Sequence, residues 1–331
     1  MADSGAYQDY ADYLEALHRG RETPAEVIAA AVRTATGSEV ATTTRIIAGE
    51  VNEVYDLTTQ AGDAVIVRIS AKLGNLLLKE RWAIEAAGRE GVPVPTVLYT
   101  ETVAGDTSPL TISIQRKLTG VSLDNRSPRP PDEDRRYLKQ MVVAGGALLT
   151  KVHGVRTRGF GYTNASGEGA NRTWREVFRR RIERPDACLE VARRRGLDEA
   201  IVERAFEEIE RHAAGVSEVE PRLIHGDFGP KHIFVDGERI TGIIDWGEAR
   251  SDDRVEDFAW WNFWFRDEAP LAWLIEGYED RSVFDSTFER RLYVVQLSLG
   301  LSCLEYYDGQ GYEWGIEWAI GNLREMLRAH A

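Results

Sequence analysis

The chain has 331 residues, 54 acidic against 41 basic for a formal net charge of −13, and 43% apolar content. A surplus of that sign argues against a nucleic-acid partner, which needs a basic footprint for the phosphates, while the length and apolar share allow sizeable cores without disulfide staples. Cys188 and Cys303 read as reduced core thiols, the start MADSGAYQDYADYLEALHRG lacks a basic-then-apolar leader, and no apolar stretch nears the ~18 residues of a membrane span, so a cytoplasmic protein with no membrane partner is expected.

In chain order, Thr23-Pro24-Ala25-Glu26 has the form of a capping box with proline at the first helical position, and predicts a helix through Thr34. Residues 46–69 alternate apolar and polar through VYDLTT, break at Ala61-Gly62-Asp63 and resume as AVIVRI, which predicts strand, turn, strand. Gly49 precedes the first of these strands, with Asn52 and Glu53 at the loop tip. A helix from about Gly74 follows, and Val92-Pro93-Val94-Pro95 marks entry to the next strand. SIQRKLTG, 113–120, reads as a strand and linker. Residues 133–153 predict an amphipathic helix ending at His153, GFGYTN at 159–164 a loop, and the stretches 173–196 and 198–215 two helices closed by glycines. The aromatic run FAWWNFWF, 258–265, is short and charge-bounded, and is expected in the core.

Between Leu223 and Trp246 the chain reads LIHGDFGPKHIFVDGERITGIIDW. HIFVD and RITGIID are β-rich runs of hairpin length, and Asp236-Gly237 between them tolerates the positive φ of a tight turn. That places Asp227 and Asp245 near opposite ends of one hairpin. Phosphoryl transfer calls for such a pair: one carboxylate takes the proton of the attacking hydroxyl, and another holds Mg²⁺ against the nucleotide phosphates.

The run HGD, four residues, a metal-ligand residue type, and then IIDWGEA resembles the catalytic and metal-binding segment of the aminoglycoside phosphotransferases and their relatives, which share the protein-kinase-like fold. The resemblance implies a two-lobed α+β architecture, with a small β-rich nucleotide-binding lobe over 1–118 and a mainly helical catalytic and substrate-binding lobe over 119–331. It makes Asp227 the base and Asp245 a metal ligand, with His225 structural. His232 stands where the family pattern has Asn, a departure that macrolide phosphotransferases share; as a ligand, imidazole is softer than an amide carbonyl and must be neutral. Gly49 and Asn52 fall in the loop that folds over the nucleotide phosphates. Arg68 takes the place of a strand lysine, gripping phosphate oxygens as a fork, with Glu80 to orient it and Glu85 as the rival on the same helix. Gln115, Lys117 and Leu118 would turn backbone groups to the purine of ATP or GTP. Asp252 and Asp257 match acidic positions that anchor the loop by accepting backbone hydrogen bonds. The segments GFG…TWR and RIT…IDW…EA are similar to those of hygromycin-type phosphotransferases.

The acceptor region is less patterned. From Glu248 to Glu268 there are seven acids (Glu248, Asp252, Asp253, Glu256, Asp257, Asp267, Glu268) against Arg250, Arg254 and Arg266, an excess that suits a polycationic aminoglycoside, although such runs also form solvated faces. Glu305 and Asp308, beside Tyr306 and Tyr307, are further candidates to reach the cleft. Trp260, Trp261, Trp264, Tyr306, Tyr307, Tyr312 and Trp314 would suit a larger apolar ligand such as a macrolide, or core. Two other classes stay open: a metal-dependent hydrolase built from His225, Asp227, His232 and Asp245, and a non-catalytic nucleotide-binding module.

Overall fold

A computed structural model describes residues 10–20, 22–47, 49–71, 76–103, 109–183, 185–213 and 219–330. Helices α1 (Tyr10–His18) and α2 (Ala25–Thr36) precede five antiparallel strands, β1 (Val40–Ile46), β2 (Glu53–Thr59), β3 (Ala64–Ser70), β4 (Val97–Val103) and β5 (Leu110–Arg116), in the order β1-β2-β3-β5-β4. Period-two alternation sets the sheet's apolar face. Tyr55 and Leu57, then Val65, Val67 and Ile69, then Ile112 and Ile114 pack on Ile28, Ala31 and Val32 of α2. The intervening positions Arg68, Ser113 and Gln115 are polar yet buried, because that face looks into the cleft beneath the sheet. Between β3 and β4 runs α3 (Leu76–Arg89), whose Ala83, Ile84, Ala86 and Ala87 join the large core of the rest of the chain and so tie the sheet to it.

The remainder is mainly helical. It comprises β6 (Val121–Ser122), α4 (Pro131–Gly154), the hairpin β7 (Phe160–Thr163) and β8 (Gly169–Asn171), α5 (Trp174–Arg181), α6 (Pro185–Arg195), α7 (Glu199–Ala213), β9 (Arg222–Ile224), β10 (Ile233–Asp236), β11 (Arg239–Ile243), β12 (Arg250–Asp252), α8 (Val255–Phe265), α9 (Leu271–Gly277), α10 (Phe288–Gln310) and α11 (Glu313–Ala329). Two small sheets, β11-β10-β6 and β8-β7-β12-β9, lie at the mouth of the cleft. Phe258, Trp261 and Phe263 are buried in the core, as the aromatic run predicts. Among the described residues no helix is long and apolar enough to cross a membrane, and Cys188 and Cys303 are not joined in a disulfide.

Several local expectations are corrected. Thr23 does not cap α2; its N–H and Oγ1 donate to the Glu53 carboxylate at 2.9 and 3.0 Å, which pins Glu53 at the start of β2 and away from a loop tip. Phe160–Thr163 of GFGYTN is a strand of a hairpin and not a loop. The periodic stretch 173–196 is two helices, since Pro185 lacks the N–H to continue the first and opens the second.

Candidate active site

Chain entering from β9 turns sharply at Gly226, where φ is 80° and a Cβ would stand 2.3 Å from the Glu248 carbonyl oxygen, so only glycine fits. Asp257, on α8, holds this turn. Its Oδ2 accepts from the His225 N–H at 2.8 Å and from His153 Nε2 at 3.0 Å, and its Oδ1 from the Gly226 N–H at 2.7 Å. His225 fastens the other side, donating from Nε2 to the Ile244 carbonyl at 3.0 Å and accepting the Asp227 N–H at Nδ1, a tautomer assigned from these partners. Complete burial pushes the His225 ring below its ordinary pKa, which suits a neutral structural role. Burial works to raise the Asp257 carboxyl, but the hydrogen bond and charge of His153 outweigh it and hold it below the ordinary carboxylate range. Asp252 accepts the Asp253 N–H at Oδ1 at 2.9 Å, and its Oδ2 pairs with Arg250.

The β10–β11 pairing, Ile233 opposite Ile243, overturns one expectation. Asp227 precedes the hairpin and Asp245 follows it, so both sit at its open end, on the same side of the cleft. Asp227, His232 and Asp245 each offer a ligand atom within 4.8 Å of the others. A 3-10 turn at Pro230–His232 aims the imidazole: Nδ1 donates to the Asp227 carbonyl oxygen at 2.8 Å, and Nε2 faces Asp245 Oδ2 at 3.3 Å. Burial works against charge on His232, but the Asp227 and Asp245 carboxylates prevail and raise its pKa. A proton on Nε2 would fill the gap to Oδ2, where a ligated cation would also have to sit. Asp227 Oδ1 is buried without a hydrogen-bond partner, an acceptor that only an incoming group can satisfy.

Arg68 closes the site from the sheet. Its guanidinium pairs with Glu80 of α3 and, through Nη2, with Asp245 Oδ1 at 2.7 Å. Glu80 is thereby chosen over Glu85, which pairs on the surface with Arg81 at 2.7 Å. Burial would raise the Asp245 carboxyl, yet Arg68 and His232 hold it well below its ordinary pKa. Asp245 is the one non-glycine residue at positive φ (62°) among the described residues, a conformation aspartate tolerates better than most and one that turns its half-exposed carboxylate into the cleft.

The nucleotide candidates divide. Gly49 lies on the β1–β2 turn, its carbonyl bound by His18 Nε2 at 2.5 Å, and Asn52 is buried with Oδ1 unpartnered. Gln115 points its buried, unpartnered Nε2 from the cleft face of β5. In the linker, the Lys117 N–H donates to Ala64 O at 3.0 Å and that of Arg116 to Thr96 O at 2.9 Å, so neither N–H is available to a purine, and the Lys117 ammonium pairs with Asp56. Leu118 lies over Gly242 of β11. The acidic run is also corrected. Asp252, Asp253, Glu256 and Asp257 are buried and answered inside the fold, by Arg250, Arg291 and His153, and Asp308 is claimed by Arg194 and Arg195. Exposed Glu248 accepts from the Tyr162 hydroxyl, exposed Glu268 lies 3.8 Å from Arg126, Asp267 is exposed and Glu305 half-buried. Sequence reasoning passed over Glu50, whose carboxylate accepts from the hydroxyls of Tyr13 and Tyr306, and Lys231, whose position inside the motif was the available signal.

Residues 42–291 match the phosphotransferase enzyme family. Hygromycin-B 4-O-kinase of Escherichia coli is 27% identical over 258 residues, 76% of this chain and 71% of that protein. Among solved structures, a thermostable mutant of aminoglycoside phosphotransferase APH(4)-Ia in ternary complex with AMP-PNP and hygromycin B superposes with a TM-score of 0.71 at 24% identity, covering 92% of this chain and 99% of that one. Spectinomycin phosphotransferase APH(9)-Ia, in complex with ADP and spectinomycin, has a TM-score of 0.64 at 12% identity, covering 93% and 98%. The fold is the protein-kinase-like one these structures share. With a matched domain over three-quarters of its length, and paired aspartates at the open end of the hairpin, the chain belongs to the phosphotransferase enzyme family and is a phosphotransferase that acts on a hydroxyl group.

Proposed function

We propose that the protein transfers the γ-phosphoryl of ATP or GTP to a hydroxyl of an aminoglycoside, with a hygromycin-like molecule as the leading substrate. The observation that carries this reading is the convergence, at one cleft, of an unpartnered Asp227 oxygen, a three-residue cation site and an arginine held by a buried glutamate. The substrate class leans on the likeness to hygromycin-B 4-O-kinase.

The group Asp227, His232 and Asp245 fits a divalent cation held by His232 and Asp245, whose imidazole lone pair and carboxylate face each other, while Asp227 stands at its edge within 4.8 Å and keeps Oδ1 for the acceptor's proton. Mg²⁺, when bound there, neutralises phosphate charge and orients the nucleotide. Asp227 receives the acceptor's proton as the hydroxyl oxygen bonds to phosphorus and the bridging oxygen leaves with the nucleoside diphosphate. Arg68 steadies the phosphates, and Glu80 fixes where it points. A macrolide is the second reading, favoured by the exposed aromatic surface of Trp314 (55%) and Tyr306 (43%). Nucleotide consumption, measured with and without hygromycin B, other aminoglycosides and macrolides, tests both. Stimulation by hygromycin B supports the first; stimulation by macrolides alone moves the assignment to the second, and none by either rejects both.

A further inference from the structure

Lys231 stands between Pro230 and His232, on the same 3-10 turn that aims the imidazole. Its ammonium is 3.5 Å from Asp227 Oδ2, at ion-pair range, and among the described residues no hydrogen bond holds it. Its three donors are not spent on any fixed acceptor among the described residues, and it stays half-exposed at the cleft, its charge felt by Asp245 and by Asp124 beside the turn. The cations of the site are also unevenly placed. Arg68 is committed to Asp245 and Glu80, on the nucleotide side, whereas Lys231 is the cation beside Asp227, where the acceptor hydroxyl must come.

We propose that Lys231 is a catalytic residue, its ammonium contacting the oxygens of the phosphoryl group as it passes from nucleotide to acceptor. The inference rests on the phosphotransfer reading. As the acceptor oxygen bonds to phosphorus and the bridging oxygen departs with the diphosphate, the acceptor's proton moves to Asp227, and negative charge spread over the three phosphoryl oxygens lies next to Asp227 Oδ2. Until that proton arrives, the ionised Asp227 and the phosphoryl oxygens are two like charges at one point. An ammonium with uncommitted donors shields one from the other and binds the charge that develops in transfer more strongly than the ground state. No proton leaves the lysine.

The test compares wild type with Lys231→Met and Lys231→Arg, in acceptor-stimulated turnover and in slow transfer of the phosphoryl group to water. For Lys231→Met the expected result is a fall in kcat of about 10²-fold in both reactions, the loss typical of one removed charge-stabilising donor, with nucleotide KM within about threefold of wild type; Lys231→Arg, which keeps the charge, recovers much of it. A kcat within about twofold of wild type in both reactions overturns the proposal. So does a loss confined to acceptor KM, which would make Lys231 a substrate-binding residue, or an equal defect in Lys231→Arg, which would trace the loss to packing. Should wild type phosphorylate no acceptor yet hydrolyse nucleotide, the acceptor assignment falls, and the hydrolysis comparison alone still decides Lys231.

Discussion

Asp227 carries two different oxygens. Oδ2 is flanked by Lys231 and His232, while Oδ1 is buried and unpartnered, so the acceptor proton has one obvious destination. Asp227→Ala is expected to lower turnover by about 10² to 10⁴-fold, the usual worth of a positioned general base, and to leave nucleotide affinity intact. Comparable turnover in the variant, by steady-state assay, would remove Asp227 from the mechanism. The amino-acid order alone names the residues: HGD, the ligand type five residues after Asp227, the aspartate of IDW, and Glu80 over Glu85 as the partner of Arg68. It sets the two aspartates at opposite ends of the hairpin, and only the strand pairing brings them to one mouth, because spacing along the chain does not encode where a loop folds back.

Among the elements, α8 has the largest say in the site, because Asp257 in its first turn fixes the backbone of the loop that carries Asp227. The folded Asp257 has a lowered pKa. Its contribution to stability is therefore fully present above the ordinary aspartate value of about 3.9 and drains away as pH falls through the folded value. Thermal unfolding from pH 6 to 3 should show wild type losing stability on the acid side, and Asp257→Asn losing about 3 kcal/mol at neutral pH but showing a flatter acid limb, since an amide does not titrate. Parallel acid limbs would assign the titration elsewhere. The acidic run that continues into this helix misleads a reading by sequence for a related reason. Asp253 is answered by Arg291, 38 residues further on, and Glu256 by Arg250, and neither pairing leaves a trace in local charge counts.

For the molecule as a whole, the net charge of −13 overstates what a cationic acceptor meets at the cleft. Four of the seven acids between Glu248 and Glu268 are internal, which leaves Glu248, Asp267 and Glu268, with Glu305, as the candidate carboxylates for the proposed aminoglycoside. Hygromycin B binding should weaken several-fold as salt rises past the point where the Debye length drops below about 8 Å; affinity by calorimetry that is flat from low to high salt contradicts the electrostatic part of the acceptor assignment. The two-lobed plan follows from the resemblance carried by the HGD and IDW segments, whereas periodicity alone runs 173–196 together where Pro185 divides it into two helices. The contact between the lobes is not readable from the chain, and it has a kinetic side. The β1–β2 turn is gripped from both flanks, at Gly49 by His18 of α1 and at Glu50 by Tyr13 of α1 and Tyr306 of α10. On the proposed function, a nucleotide that enters beneath that turn would have to loosen those grips, and its arrival would be slowed by the protein's own clasp as well as by diffusion. In stopped-flow, Glu50→Gln should take up nucleotide faster than wild type and release it faster too, at little change in affinity: the clasp governs how long a nucleotide waits at the door, and hardly at all how firmly it sits once inside.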